Sequence, residues 1–282
     1  MELLDPEDGL PIWDAAEGTE LPGEVMAIER LGTGRRCETW LVWSVALWSP
    51  AVLKLARPHQ LSQAVKSLRR EATVLSGNLH PALPRLLADG TSAPVPHVLT
   101  EYIDGPSLAD ELDDNGALTP CETALLGAQV LAAVLSLHRR GLAHLDLKPD
   151  NLVLRDSRPI LIDFGSTRSI GSLQPAGHPV GTVGYAPPEQ ESCQPVAATM
   201  DLYALGQTLR ECLDDAPAGD SAVQEVLQQS TAANPEARGA ASEVLVSLAE
   251  AAGETRPWPG WLDRFAKCSA GGERTSAAAV RL

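Results

Sequence analysis

The chain has 282 residues, enough for one bilobal domain or two small ones around a sizeable core. It is 44% hydrophobic and 21% charged, the mix of a globular domain rather than of a disordered or fibrous chain. Its formal charge of −15 argues against a nucleic-acid-coating surface and against attraction to anionic lipid.

Residues 1–24 are acidic and punctuated by Pro and Gly, and read as an extension without its own core, with Trp13 able to pin it to a lobe. From residue 25 to 54 the pattern is strand-like: Thr39-Trp40-Leu41-Val42-Trp43 alternates, and a second run covers 51–55. Trp48-Ser49-Pro50 between them reads as a turn or edge. Residues 61–77 predict a helix, because Leu61, Ala64, Val65, Leu68, Ala72 and Leu75 recur at three- and four-residue spacing. A break follows over 78–84, then a strand over 95–102. After Gly105 the character turns helical, with a long apolar-periodic segment at 125–137 stopping near Gly141. Short strands at 152–154 and 160–162 come next, then helices near 200–213, 222–230 and 240–252. The last thirty residues read as a tail with Trp258 and Trp261 as an anchor.

Two segments carry the chemistry. His144-Leu145-Asp146-Leu147-Lys148-Pro149-Asp150-Asn151 is followed by Asp163-Phe164-Gly165. Together they supply a carboxylate able to take a proton from a hydroxyl (Asp146) and a lysine able to reach a transferring phosphate (Lys148). They also supply an amide and a second carboxylate able to hold Mg²⁺ (Asn151, Asp163). Positioned charge is most of what such a reaction asks of a protein.

The pair resembles the catalytic and metal loops of eukaryotic-like (Hanks-type) serine/threonine protein kinases, in their bacterial version. Ala51-Val52-Leu53-Lys54, Glu71 in a helical pattern, and Pro187-Pro188-Glu189 stand in the family's order. The resemblance implies an α+β bilobal protein kinase fold: a small antiparallel sheet with one main helix, then a mainly helical C-lobe. The implied units are 1–24 (extension), 25–103 (N-lobe and hinge), 104–252 (C-lobe) and 253–282 (tail). It further implies ATP and Mg²⁺, a protein substrate offering a Ser/Thr hydroxyl, and autophosphorylation.

By the same resemblance, Leu31, Gly32, Gly34 and Thr39 belong to a loop and strand covering the ATP phosphates, with Cys37 where a third glycine usually stands. Lys54 would pair with the α/β phosphates and be held by Glu71; the plainer alternative is a surface Glu beside Arg69 and Arg70. Thr100 would be the gatekeeper, the backbone of Glu101 and Ile103 would meet adenine, and Val52, Leu31 and Val153 would line the purine. His144 is expected to pack on Phe164 rather than relay protons. Thr182 would bond Asp146 and Lys148, Glu189 would pair with Arg238, and Asp201 and Gly206 would brace the catalytic loop.

Leu145 departs from the arginine common at its position, so activity is expected without obligatory phosphorylation of the activation segment. The stretch from Asp201 to Arg238 is short, which weakens inference about substrate. A partner-binding pseudokinase and a small-molecule phosphotransferase are the competing readings. The five cysteines (Cys37, Cys121, Cys193, Cys212, Cys268) show no Cys-x-x-Cys and fit a reducing compartment. No signal-peptide pattern is visible near Met1 and no run approaches ~20 apolar residues, so the expectation is cytoplasmic, without membrane or nucleic-acid partners.

Overall fold

A computed structural model describes residues 3–6, 8–77, 80–174, 177, 179–213 and 222–253. The expected tail, with its Trp258 and Trp261 anchor, lies outside these residues apart from Gly253. The fold is bilobal: a six-stranded antiparallel sheet with one long helix, joined to a mainly helical lobe.

The sheet has the order β3-β4-β5-β6-β8-β7, from Glu20–Leu21 (β3), Val25–Thr33 (β4), Cys37–Ser44 (β5), Ser49–Ala56 (β6), Leu86–Gly90 (β7) and His97–Glu101 (β8). Side chains alternate across a strand with period two. In β5 this sends Glu38, Trp40, Val42 and Ser44 inward and leaves Thr39 and Leu41 on the opposite face. Thr39 pairs with Lys54 and Leu41 with Val52 on β6, so these four share the face turned to the cleft. The helix α1 (Leu61–Leu75) buries Ala64, Leu68, Ala72 and Leu75. Glu71 lies on that buried stripe, seven residues after Ala64, which removes the surface-Glu alternative.

Two expectations need correction here. Ser49 and Pro50 are strand residues, Pro50 pairing with Trp43, and the turn is carried by Trp48 at φ 51°. The extension is also more structured than its composition suggests. Leu3–Leu4 (β1) pairs with Pro11–Ile12 (β2), and β3 joins the main sheet, so the expected boundary at 24/25 falls inside a hairpin. Trp13 packs against the N-lobe core of Val25, Trp40 and Leu53, as anticipated.

In the C-lobe, α2 (Leu108–Asn115) and α3 (Pro120–His138) both begin with capping boxes, Ser107 with Asp110 and Thr119 with Glu122. By length and composition α3 could cross a membrane, contrary to the expectation that no segment could; here its Val130, Leu131, Val134 and Leu137 are core. It packs with α5 (Ala198–Cys212), α6 (Ala222–Ser230) and α7 (Ala241–Ala251), while α4 (Pro188–Glu191) is a single turn. Two short pairings position the site. Leu142–Ala143 (β9) meets Arg168–Ser169 (β12), and Leu152–Arg155 (β10) forms a hairpin with Arg158–Leu161 (β11).

Candidate active site

Three elements distant in sequence meet at Lys54. Its Nζ lies 2.8 Å from Glu71 Oε2 and 2.7 Å from Asp163 Oδ1. Burial alone would drive the lysine pKa down, but the carboxylates of Asp163 and Glu71 override it and raise it. Burial likewise pushes Asp163 up; the Lys54 ammonium and the Gly165 N–H overcome that and hold it at about 2. Glu71 is raised, by burial first, because its single cation is shared. The arrangement is a charged lysine between two carboxylates, one from α1 and one from the loop after β11.

The catalytic loop is held from behind by one carboxylate. Asp201, fully buried at the start of α5, accepts from the N–H groups of His144 and Leu145, both at 2.8 Å, and meets His138 Nε2 at 2.8 Å. Those bonds fix Leu145 at φ 69°, a conformation that costs a bulky residue on the order of 1–3 kcal/mol. Asp163 is also left-handed, at φ 60°. The β10–β11 hairpin brings the two candidate metal ligands together, since Ile162 N–H donates to Asn151 O at 2.9 Å. Asn151 Nδ2 in turn donates to Asp146 O at 2.8 Å.

Asp146 Oδ1 accepts from the Thr182 hydroxyl at 2.7 Å. Lys148 meets Asp150 instead of Thr182, at 3.4 Å. His144 packs edge-on against Phe164 with centroids 5.4 Å apart, and its Nδ1 accepts from Asp146 N–H at 3.3 Å. Its ring therefore supports the backbone of Asp146 and is not bonded to that carboxylate.

Between the lobes lies a cleft of about 390 Å³. Leu31, Gly32, Thr39, Val52, Lys54, Glu71, Thr100, Glu101, Ile103, Asn151, Val153 and Asp163 all line it. Asp146 and Lys148 do not; Asp146 reaches it through Asn151. Gly34 also falls outside the lining, its carbonyl being taken by Arg57. Of the two hinge residues expected to meet adenine, Glu101 spends its N–H on Arg85 O at 2.9 Å, while Ile103 N–H has no backbone acceptor among the described residues.

Sequence reasoning missed Pro84, Tyr102, Gly105 and Ile162 in the lining. Gly105 carried the one usable signal. Its φ is 147°, and a Cβ there would sit 2.1 Å from Leu154 O, so only glycine fits where the lobes join.

The protein kinase domain model matches residues 26–248, most of the chain. The chain belongs to the protein kinase family. Among curated proteins it resembles the serine/threonine-protein kinase PkaA of Streptomyces coelicolor, 34% identical over 192 residues, covering 65% of this chain and 35% of that one. It also resembles PknA of a Nostoc species, 34% identical over 206 residues, with 67% and 36% covered. Similarity to PknB of Mycobacterium tuberculosis is 30% over 213 residues, with 71% and 34% covered. The chain spans about a third of the length of these relatives.

In this kinase domain the activation segment rests on apolar packing. Leu145 is buried with Ala143, Val196 and Met200, and Val180 and Ala197 pack against them. Gln190 Nε2 ties Leu145 O at 2.8 Å to Val180 O at 2.6 Å. Glu189, from the Pro-Pro-Glu, pairs with the fully buried Arg238, with one contact at 3.0 Å. Arg238 also donates to Thr199 O and Ala232 O. Such a pair is architectural, and removing one partner strands a buried charge.

Proposed function

We propose that this chain is a serine/threonine protein kinase that transfers the γ-phosphate of ATP to a protein hydroxyl. The units expected from sequence serve this reading: 25–103 as the nucleotide-covering lobe and hinge, 104–252 as the catalytic and substrate lobe. The observation that carries it is the joining of Lys54, Glu71 and Asp163 in one ion-paired cluster lining a nucleotide-sized cleft. A degraded site would lack a member of that cluster.

The donor set fits a magnesium ion shared with a nucleotide. Asn151 spends its amide N–H on Asp146 O, and Asp163 spends Oδ1 on Lys54 and Gly165. One oxygen on each, Asn151 Oδ1 and Asp163 Oδ2, takes no hydrogen bond among the described residues. Magnesium favours one or two such protein oxygens completed by phosphates and water. When bound, it would neutralise charge on the phosphates.

The chain's own residues do the rest. Lys54, kept protonated by its two carboxylates, would fix the nucleotide phosphates. Ile103 N–H would set the purine edge, and Leu31, Val52 and Val153 would close on its faces. Asp146 would orient the acceptor hydroxyl and take its proton at Oδ1; that Thr182 already donates there supports a Ser/Thr-type alcohol. Swinging from Asp150, Lys148 would reach the transferring phosphate. Because Ser and Thr line its own activation segment, the chain is a candidate for self-phosphorylation. Cytoplasmic action is part of the reading, supported by free cysteines at Cys37, Cys121, Cys193 and Cys212.

Labelled ATP, Mg²⁺ and a mixed protein substrate, beside an Asp146→Asn control, test it. Transfer to protein lost in the control supports the reading. Nucleotide binding with no transfer, or transfer to small molecules alone, overturns it.

A further inference from the structure

The turn between β4 and β5 is fastened to one residue. Gly34 N–H closes the turn on Cys37 O at 2.8 Å. Arg57, just past β6 and fully buried, donates its backbone N–H to Arg36 O at 2.9 Å and Nη1 to Gly34 O at 3.1 Å. The other guanidinium bonds run to the extension: to both oxygens of Asp8, at 2.6 and 3.0 Å, to Leu10 O at 2.8 Å and to Pro11 O at 3.1 Å. All five N–H groups of the fork are used. A second anchor lies nearby, where Trp13 N–H donates to Glu38 Oε1 at 2.9 Å and Trp13 Nε1 to Ala56 O at 2.8 Å.

We infer that residues 8–13 form a strap which, through Arg57, sets the position of the phosphate-covering turn at residues 34–37. Asp8 and Arg57 are thereby positioning residues for the triphosphate end of the nucleotide. The functional half rests on the phosphotransfer reading. The strap lies ahead of residue 26, where the match to the kinase domain begins, so nothing shared across the family assigns it this role.

The physical argument turns on ordering. A glycine loop that moves freely must be immobilised when a ligand arrives, and that entropy subtracts from affinity. Here the turn is held before any ligand comes, by a planar fork whose geometry is itself fixed by a bidentate carboxylate. An ion pair that merely stapled the extension to the sheet would have no reason to spend a donor on the turn's own carbonyl. Lysine at residue 57 would keep the charge but offer one ammonium in place of the fork, too few directions for these acceptors.

The test compares wild type with Asp8→Asn, which removes the charge at nearly constant shape, and with Trp13→Phe, which loosens the second anchor without touching Arg57. Hydrogen exchange of the amides at residues 34–37 is read in the free protein. Calorimetry then gives affinities for Mg-ATP and for adenosine. In Asp8→Asn the loop amides should exchange several-fold faster. ATP affinity should fall about three- to tenfold while adenosine affinity stays within about twofold. Trp13→Phe should shift both in the same direction by less.

Unchanged loop exchange in a folded Asp8→Asn protein overturns the strap. Equal losses for ATP and adenosine overturn its aim at the triphosphate. A wild-type chain that binds no ATP instead overturns the phosphotransfer reading, and the exchange measurement still judges the strap. If Asp8→Asn does not fold, the same outcomes are read from Trp13→Phe.

Discussion

Two loops, the catalytic loop and the turn between β4 and β5, are each held from behind by one buried charged side chain that bonds to backbone. Behind the catalytic loop the charge is Asp201, accepting two N–H groups and balanced by His138. Behind the glycine turn it is Arg57, donating to Gly34 O and balanced by Asp8. The signs are opposite because the exposed backbone groups are opposite: N–H in one loop, C=O in the other. The lesson is that a loop with little regular pairing is fixed most economically by a single multivalent ion, provided a partner neutralises it. The difference lies in where the balance comes from. His138 stands at the end of α3 in the core of the helical lobe, whereas Asp8 belongs to the extension ahead of the matched kinase domain.

Breaking the catalytic side should have the largest effects. Asp146→Asn should lower kcat by about 10²–10⁴, the usual worth of a positioned base, with an unchanged unfolding midpoint. Asp201→Ala should cost about 3–5 kcal/mol in urea unfolding, because His138 and two N–H groups lose a buried partner. Its kcat should fall too, since Leu145 is no longer held left-handed. If Asp201→Ala unfolds like wild type, the symmetry between the two loops is false.

A pH titration of stability sharpens the comparison. Asp163 sits at about 2 in the folded chain against 3.8 ordinarily, so its contribution is complete above 3.8 and lost as pH falls toward 2. Lys54 is raised from 10.5, so its contribution is complete below 10.5 and lost only as pH climbs past its elevated value. Asp163 and Lys54 should therefore add no pH dependence between about 5 and 9. Glu71, raised by burial, instead favours the folded chain most below 4.5 and loses that share as pH rises through its elevated pKa. Asp163→Asn should remove its share of the acid limb of the denaturation curve, the part lost between 3.8 and about 2.

The smallest expected effect is a null one. The apolar seat under Leu145 replaces a phosphate-binding cation, so phosphatase treatment should leave kcat within about twofold, where a segment held by charge-assisted bonds would lose far more. Silencing of the purified enzyme by removal of phosphate from Ser166, Thr167, Ser169, Ser172 and Thr182 would refute this.

How much of the site was readable beforehand follows from locality. Asp146, Lys148 and Asn151 sit in one short segment whose chemistry demands those residue types, and Lys54 and Glu71 lie on a strand and helix with clear periods. The spent N–H of Glu101 was not readable, because it depends on which backbone lies alongside. The extension was misjudged for the same reason: Asp8 and Leu10 look like linker residues until Arg57 is placed between them.

Side-chain chemistry and short-range spacing, carried by the chain itself, marked the candidate reacting groups, and the resemblance those motifs carry pointed to two lobes and the kinase family. Only the folded molecule decided that Glu71 faces Lys54, that Leu145 seats the activation segment, and that the extension grips the glycine turn. Each of those joins groups far apart along the chain, and desolvation and hydrogen-bond direction, which no local pattern encodes, select the partner.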